Sequence, residues 1–345
     1  MPPTRRQFIA ATAAAAGTAA ATAAAAPDRP PPLRPKRLRP GDTIALINPS
    51  GAIYEREPYA SATESLQALG FQVREAPSLR ARYGHFAGTD AQRAADVNEM
   101  FADPAVHGIL AMTGRSGGGR MLPLLDYELI RRNPKVLGGF SDLTALINAV
   151  HARTGLVTFH CPMASSEWRP YSVEHFRAVL VDAQALTLRN PKPTGDVLVP
   201  RRHRTTTLRG GKVSGPLVGG NLAVFAALAG SGYWPALDGA ILFLEEVNEF
   251  IYRVDRMLST LKLAGALDRL AGVVLGGFTN CEPGDGYGTL TLDEVFDDYF
   301  KGLNVPVFSG AQFGHVAPQY TLPLGLPLEI DADAGTLRLL QPAVL

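Results

Sequence analysis

Short apolar runs alternate with segments of helical periodicity along the first half of the chain. Continuous apolar runs at 43–47 and 108–112 are bounded by turn residues, which is typical of buried parallel strands. Residues 55–69 and 90–100 have helical periodicity, and 71–75 resembles a further strand. Strands that alternate with helices indicate a parallel α/β sheet.

The pattern changes after residue 186. Residues 189–211 are polar and basic without a strong period, and a second unit opens with PLVGGN at 216–221. We predict helices at 222–229 and near 252–264, and strands at 240–244 and 272–275. The expected organisation is an N-terminal α/β domain over 38–188, a connection over 189–215 and a C-terminal domain over 216–345.

The first residues carry a targeting pattern. Arg5 and Arg6 precede an apolar pair, and an Ala-rich run follows from 10 to 26. We therefore expect a Tat-type signal peptide over 1–26, cleaved near its end, and a Pro- and Arg-rich linker over 27–37. Alanine contributes little to membrane insertion, so a stable span is not expected. The expected destination is the periplasm or cell envelope.

Composition narrows the possible partners and chemistry. The 345 residues carry a formal net charge of +1, which gives no basic excess for neutralising nucleic-acid phosphates. The basic run at 201–204 is interpreted as a solvated loop. Two cysteines, Cys161 and Cys281, do not make a disulfide framework, although a pair between them stays open. Without CxxC or HExxH spacing, neither a metal nor a cofactor is expected.

A strand that runs directly into a serine is the first candidate for chemistry. In KVLGGFSDLT at 135–144, Ser141 follows a short apolar strand and a helix is predicted over 142–153. Parallel sheets bind their ligands at the carboxyl ends of the strands, where Ser141 would lie. The N-terminus of the following helix would stabilise the negative charge of an oxyanion that forms there. Leu143 departs from the G-x-S-x-G pattern of ordinary α/β-hydrolases. The alternative is that Ser141 only caps the helix.

A glycine-rich loop, TGRSGGGR at 113–120, follows an earlier strand. It lacks the spacing of phosphate-binding loops. We expect it beside Ser141, where a backbone N–H would complete an oxyanion hole; a plain flexible turn is the alternative.

An acidic pair ends the strand predicted at 240–244. The period of two places Glu245 on the face of Ile241 and Phe243, and turns Glu246 away. A carboxylate at the end of an apolar strand needs a partner. That partner would be a catalytic histidine or an ordinary cation.

Seven histidines compete for the role of base. His151 lies within the helix after Ser141 and would face that helix's neighbours. His160 ends an apolar run, and His315 lies in a Gly-flanked loop; the local sequence does not separate these two. The remaining histidines are predicted at the surface: His85, His107, His175 and His203.

Several ordered blocks together resemble the serine LD-carboxypeptidase family. The three catalytic blocks are matched by GGFSDLTAL at 138–146, FLEEV at 243–247 and GHV at 314–316. Supporting matches run from LRPGDTI at 38–44 to TLPLG at 321–325, so the resemblance covers essentially everything from Leu38 onward.

The resemblance implies roles for individual residues. Ser141 would be the nucleophile, His315 the general base and Glu245 its orienting carboxylate, with Gly114 and the Asp142 N–H as the oxyanion hole. It also implies a smaller, mixed α/β C-terminal domain, a cleft between the domains and a possible homodimer. The expected reaction releases terminal D-Ala from peptidoglycan tetrapeptides.

One block departs from the family pattern. The loop that usually reads Arg-Gly-Gly-aromatic-Gly is Thr-Gly-Arg-Ser-Gly at 113–117, which changes the oxyanion wall and the substrate contacts. Two alternatives therefore stay open. One is a microcin C-type immunity peptidase, which the predicted export signal disfavours; the other is a non-catalytic periplasmic muropeptide-binding protein.

Overall fold

A computed structural model of the chain describes residues 30–192, 198–199, 201–284, 288 and 290–345. The predicted signal peptide over 1–26 lies outside the described residues, as do the start of the linker and part of the connection over 189–215. Two β-sheets with packed helices make up the described chain. None of the helices in these ranges is long and apolar enough to cross a membrane.

The first sheet has six strands, five of them parallel and the last antiparallel. Its members are β1 (Thr43–Ile47), β2 (Gln72–Glu75), β3 (Gly108–Ala111), β4 (Val136–Gly139), β5 (Thr158–His160) and β12 (Leu322–Leu324). The spatial order is β12-β5-β4-β3-β1-β2. Strands β3, β4 and β5 are buried along their whole length, as expected of a parallel sheet covered on both faces.

Six helices accompany this sheet: α1 (Glu57–Ala68), α2 (Asp90–Ala102), α3 (Gly118–Met121), α4 (Tyr127–Arg132), α5 (Thr144–Thr154) and α6 (Pro170–Leu180). Helix α2 begins with a capping box, in which the Thr89 hydroxyl accepts from the Gln92 N–H and the Gln92 side chain accepts from the Thr89 N–H. Helix α5 ends at Gly155, whose φ of 76° suits glycine. Short 3₁₀ turns lie at Leu122–Leu124 and Ser141–Leu143.

The second sheet is mixed and has eight strands. They are β6 (Thr187–Leu188), β7 (Thr206–Arg209), β8 (Lys212–Asn221), β9 (Ile241–Val247), β10 (Gly272–Thr279), β11 (Val307–Ser309), β13 (Pro327–Asp331) and β14 (Thr336–Leu339). Strands β8 to β11 run parallel, and the flanking strands are antiparallel. Its helices are α7 (Leu222–Ala227), α8 (Ile251–Leu263), α9 (Leu292–Phe296), a 3₁₀ turn (Leu267–Arg269) and a π turn (Asp297–Lys301).

The two sheets exchange strands across the predicted boundaries. Strand β12 comes from the predicted C-terminal domain but pairs with β5 of the first sheet, and β6 pairs with β14 of the second. Part of the predicted linker is also packed, because the Arg37 N–H donates to the Leu345 carbonyl at 2.9 Å. The boundaries at 188 and 215 stay a prediction, and the exchanged strands tie the two halves together.

Most elements that we predicted from periodicity occur close to their predicted places. The strand expected at 43–47 is β1, and the helix expected at 55–69 is α1, shorter by two residues at its start and one at its end. The prediction of His175 at the surface is wrong. His175 is 7% exposed, because it lies on the face of α6 that packs inward, and its Nδ1 lies 2.8 Å from the Tyr171 carbonyl oxygen.

Candidate active site

The turn after β4 presents Ser141 in a strained conformation. Phe140 is extended, and Ser141 follows with φ of 62°, in the left-handed region that non-glycine residues seldom occupy. A 3₁₀ turn and α5 begin at once, so the chain reverses sharply at the hydroxyl. Such strain is typical of residues held for function, and it is the geometry of a nucleophile elbow.

Glycine 139 allows this turn to be so tight. Its φ is 147°, and a Cβ there would lie 2.2 Å from the Leu143 Cδ2. A Cβ on the preceding Gly138 would lie 2.6 Å from the Cys161 Sγ, so Cys161 fills space beneath the turn. Both cysteines of the chain are buried and unpaired.

The Ser141 hydroxyl contacts a histidine and caps no helix. Its Oγ lies 3.1 Å from the His315 Nε2, and Ser141 is not at an N-cap position, because the 3₁₀ turn is capped by Phe140 and α5 by Leu143. The contact joins residues 174 positions apart in the chain. The structure therefore favours the functional interpretation of Ser141 over the capping alternative.

Glutamate 245 holds the other side of the same imidazole. It is fully buried in β9, and its Oε2 lies 2.7 Å from the His315 Nδ1. The same oxygen accepts from the His315 backbone N–H at 3.3 Å. The backbone carbonyl of His315 accepts a hydrogen bond from the Thr279 hydroxyl at 3.0 Å. The Phe140 ring packs edge-on against the His315 ring, with 5.0 Å between the ring centres. These contacts fix the His315 imidazole so that its Nδ1 contacts the Glu245 carboxylate and its Nε2 contacts the Ser141 hydroxyl.

His160 does not take part in this arrangement. It is fully buried among the rings of Phe140, Phe243 and Phe313. Burial, with a smaller effect of the nearby His315, lowers the pKa of His160 to about 3, so it stays neutral near neutral pH. Within the described chain neither of its ring nitrogens has a hydrogen-bond partner. The local sequence did not separate His160 from His315 as the candidate base, and the geometry favours His315.

The glycine-rich loop lies against the serine, as predicted. A Cβ on Gly114 would lie 2.7 Å from both the Cβ and the Oγ of Ser141, and 3.2 Å from the Asp142 nitrogen. The Gly114 backbone and the Asp142 N–H thus border the hydroxyl. Their role as an oxyanion hole stays a prediction.

Two buried side chains hold this loop in place. The Asp142 carboxylate accepts from the Ser50 hydroxyl at 2.5 Å and from the Gly118 N–H at 2.6 Å. Arg93, 1% exposed, donates to the carbonyls of Pro49 and Gly117. The loop is therefore anchored rather than free, and the flexible-turn alternative is disfavoured.

A second hydrogen-bond network lies nearby, around the buried carboxylate of Glu246. Glu246 points away from Glu245 as expected, but it is also buried, and its carboxylate accepts from the Asn221 amide and from the backbone N–H groups of Ala223 and Val247 at 2.8–2.9 Å. Burial raises the pKa of Glu246. The Asn221 N–H donates to the Thr144 hydroxyl at 2.9 Å, which links α5 to the second sheet.

An open cavity of about 630 Å³ lies beside the serine. Its apolar side is formed by Leu122, Ala145, Val224 and Leu228, and its polar side by Ser141, Asn221 and the loop. No group of three or more His, Cys, Asp or Glu side chains in the described ranges is placed to hold a metal ion.

Comparison with known proteins identifies the family. The model of the LD-carboxypeptidase N-terminal domain matches residues 44–161, and that of the C-terminal domain matches 214–330. The chain belongs to the LD-carboxypeptidase family. The family resemblance inferred from the sequence is thus confirmed.

Individual LD-carboxypeptidase relatives match over most of their length. A putative carboxypeptidase of Streptomyces coelicolor is 40% identical over 320 residues, 90% of this chain and 97% of that protein. A probable murein peptide carboxypeptidase of Bacillus subtilis is 34% identical over 88% of this chain and 93% of its own.

Solved structures confirm the α/β fold class. The microcin C7 self-immunity protein MccF in complex with glutamyl sulfamoyl guanosine superposes with a TM-score of 0.82 at 28% identity, covering 91% of this chain and 100% of that one. Muramoyltetrapeptide carboxypeptidase from Oxalobacter formigenes superposes with a TM-score of 0.72 at 27% identity, and the match covers 86% of this chain and 97% of that one.

Proposed function

We propose that the protein is a serine-type LD-carboxypeptidase that releases the terminal D-Ala from peptidoglycan tetrapeptides. The observation that carries the proposal is the chain of contacts from the Ser141 Oγ through His315 to the buried Glu245, beside an open cavity. Relatives named murein peptide carboxypeptidase support the substrate class.

The proposed reaction proceeds by acyl transfer. The Ser141 Oγ attacks the carbonyl carbon of the L-centre before the scissile bond, and His315 Nε2 takes the hydroxyl proton. The tetrahedral oxyanion forms beside the backbone N–H of Asp142 and the Gly114 segment. When the C–N bond breaks, His315 returns its proton to the amine of the leaving D-Ala.

Water completes the cycle. His315 removes a proton from a water molecule, whose oxygen attacks the ester on Ser141; the peptide leaves with a new carboxylate and the proton returns to the serine oxygen. Glu245 accepts from the Nδ1–H throughout and stabilises the imidazolium. It supports the tautomer that leaves Nε2 free to act as a base.

A second candidate function is hydrolysis of an aminoacyl-nucleotide conjugate. It is favoured by the TM-score of 0.82 to an MccF complex, against 0.72 to the muramoyltetrapeptide carboxypeptidase. The test is a paired assay in which the purified protein receives a peptidoglycan tetrapeptide or an aminoacyl-sulfamoyl-adenosine. Release of D-Ala with no attack on the conjugate supports the first function, and the reverse supports the second. Binding of the tetrapeptide without turnover of either would favour a non-catalytic binder.

We also propose that the protein acts in the periplasm or cell envelope, because twin arginines and an Ala-rich run begin the sequence. The test is a fusion of residues 1–30 to a reporter protein that the Tat pathway can export in its folded state. Replacement of both arginines by lysine should abolish export of this fusion. A homodimer is a further expectation from the resemblance, and sedimentation of the mature protein measures it.

A further inference from the structure

The cavity beside Ser141 has a single cationic side chain among the described residues that line it. That residue is Arg115, whereas three lining residues are acidic: Asp142, Glu246 and Glu249. All three acids have partners. Asp142 and Glu246 accept the hydrogen bonds described above, and Glu249 pairs with the Arg253 guanidinium at 2.5 Å.

The Arg115 guanidinium has no such partner. No carboxylate among the described residues forms an ion pair with it, and the group that it faces is the Tyr54 ring, 5.8 Å from the Cζ to the ring centre. The side chain is exposed on the cavity wall. It is a positive charge on the cavity wall, and no carboxylate among the described residues occupies its hydrogen-bond donors.

The backbone accommodates an arginine at this position with difficulty. Arg115 has φ of 77°, a left-handed conformation that glycine adopts freely and other residues disfavour. The facing residue has to be small as well, because a Cβ on Gly51 would lie 2.5 Å from the Arg115 Cβ. The chain thus carries a strained cation at a position where glycine would be free of strain.

We propose that Arg115 binds the terminal carboxylate of the peptide substrate and so restricts cleavage to the last bond. The inference rests on the proposed function. In an LD-carboxypeptidase substrate that carboxylate is two covalent bonds from the scissile nitrogen, so it lies close to Ser141 during attack. Arg115 follows Gly114, where an added Cβ would lie 2.7 Å from the Ser141 Oγ. A guanidinium presents a planar pair of N–H donors that matches a carboxylate.

The test compares a peptidoglycan tetrapeptide that ends in a free carboxylate with the same peptide as its C-terminal carboxamide. Binding of each is measured by calorimetry to Ser141→Ala protein, which separates recognition from turnover. The second variant is Ser141→Ala with Arg115→Gln, which keeps a long polar side chain and the same backbone strain but removes the charge. Arg115→Lys tests whether charge alone suffices.

We expect the Ser141→Ala protein to prefer the acid over the amide by about ten- to a hundredfold, the range of one hydrogen bond to a charged group. Arg115→Gln should remove this preference by weakening acid binding alone, and Arg115→Lys should restore part of it. The matched control is Arg82→Gln. Arg82 is exposed and also lies over the Tyr54 ring, at 5.1 Å, but it does not line the cavity. It should leave the preference intact.

Turnover of the acid peptide by the wild-type protein is measured separately. Turnover together with an acid preference unchanged by Arg115→Gln, or lost equally with Arg82→Gln, would overturn the role of Arg115 and leave the proposed function standing. An Arg115-dependent preference without turnover would overturn the proposed function but not the carboxylate site. Failure of both peptides to bind would overturn both.

Discussion

Gly314 lies against the side chain of Glu245 with no room for a methyl group. A Cβ at 314 would lie 2.5 Å from the Glu245 Cβ and 2.6 Å from its Oε2, the oxygen that holds His315. Gly314 also has φ of 92°, where other residues are strained. The neighbour of the proposed base is therefore fixed as glycine by the position of the carboxylate.

Gly314→Ala should consequently lower the carboxypeptidase activity by more than its loss of stability explains. Displacing Glu245 disorients the imidazole, and we expect kcat/KM for the tetrapeptide to fall about 10²-fold or more, within the range for loss of a positioned base. The control is Gly265→Ala, since Gly265 has φ of 68° but a methyl group added there would have nothing within 4 Å. It should cost about 1–2 kcal/mol of stability and leave turnover unchanged. Equal activity in the two variants at a temperature where both are folded would show that Gly314 does not set the position of Glu245.

Asp142 should act through its side chain as a positioning residue. Asp142→Ala leaves the Ser50 hydroxyl and the Gly118 N–H without their acceptor, at about 1–3 kcal/mol for each buried group. The loop beside Ser141 then loses an anchor, and we expect kcat to fall about ten- to a hundredfold. Asp142→Asn keeps an acceptor oxygen for both donors and should restore most of kcat. Steady-state kinetics of the two variants decide the matter; no rescue by asparagine would show that the charge, rather than the geometry, is required.

Gly51 and Arg115 should be energetically coupled. Gly51→Ala places a methyl within 2.5 Å of the Arg115 Cβ, and overpacking of this kind costs about 1–3 kcal/mol. Arg115→Gly removes the obstacle and the strained φ together. In urea unfolding, the double variant should therefore be more stable than the sum of the two single effects gives. Additive effects of the two substitutions would contradict the packing described for this pair.

Burial of His160 should make the protein sensitive to acid. Its pKa is lowered to about 3 in the folded state from an ordinary value of 6.5. Below pH 6.5 the unfolded chain therefore binds a proton at His160 that the folded chain does not, and the stability contribution is lost as pH falls toward 3. His160→Phe removes this titration and suits the surrounding rings.

The measurement is the free energy of unfolding of wild type and His160→Phe at pH 7.5 and pH 5.5. Relative to the variant, the wild type should lose about 1.4 kcal/mol per pH unit below 6.5. His85→Gln removes an exposed imidazole and serves as the control. A wild-type-to-variant difference that stays constant across this range would show that His160 titrates normally.

Periodicity predicted the parallel sheet well because β1 and α2 each carry a complete local signal. The apolar run of β1 is bounded by turn residues, and α2 has helical periodicity along nearly its whole length. The exchange of β12 into the first sheet was not predictable in this way, since a three-residue strand has no period and its partner β5 lies far earlier in the sequence.

The candidate site was predictable only in part. Ser141 was detectable because strand, serine and helix are consecutive. His160 and His315 stayed equivalent because both follow short apolar or glycine-containing segments, and what separates them is tertiary: aromatic rings enclose one, and Glu245 with Ser141 contacts the other. The family resemblance pointed to His315. Burial of Glu246 had no local signal beyond its place after Glu245.

We expect turnover to pass through a covalent acyl-enzyme on Ser141, with His315 as the base. Intact-mass spectrometry of the protein quenched during tetrapeptide turnover, followed by peptide mapping, detects this intermediate and its site. The expected result is an adduct of the tripeptide acyl group on Ser141 in the wild type, and neither adduct nor D-Ala release from Ser141→Ala. An adduct on another residue, or D-Ala release by Ser141→Ala at close to the wild-type rate, would contradict it.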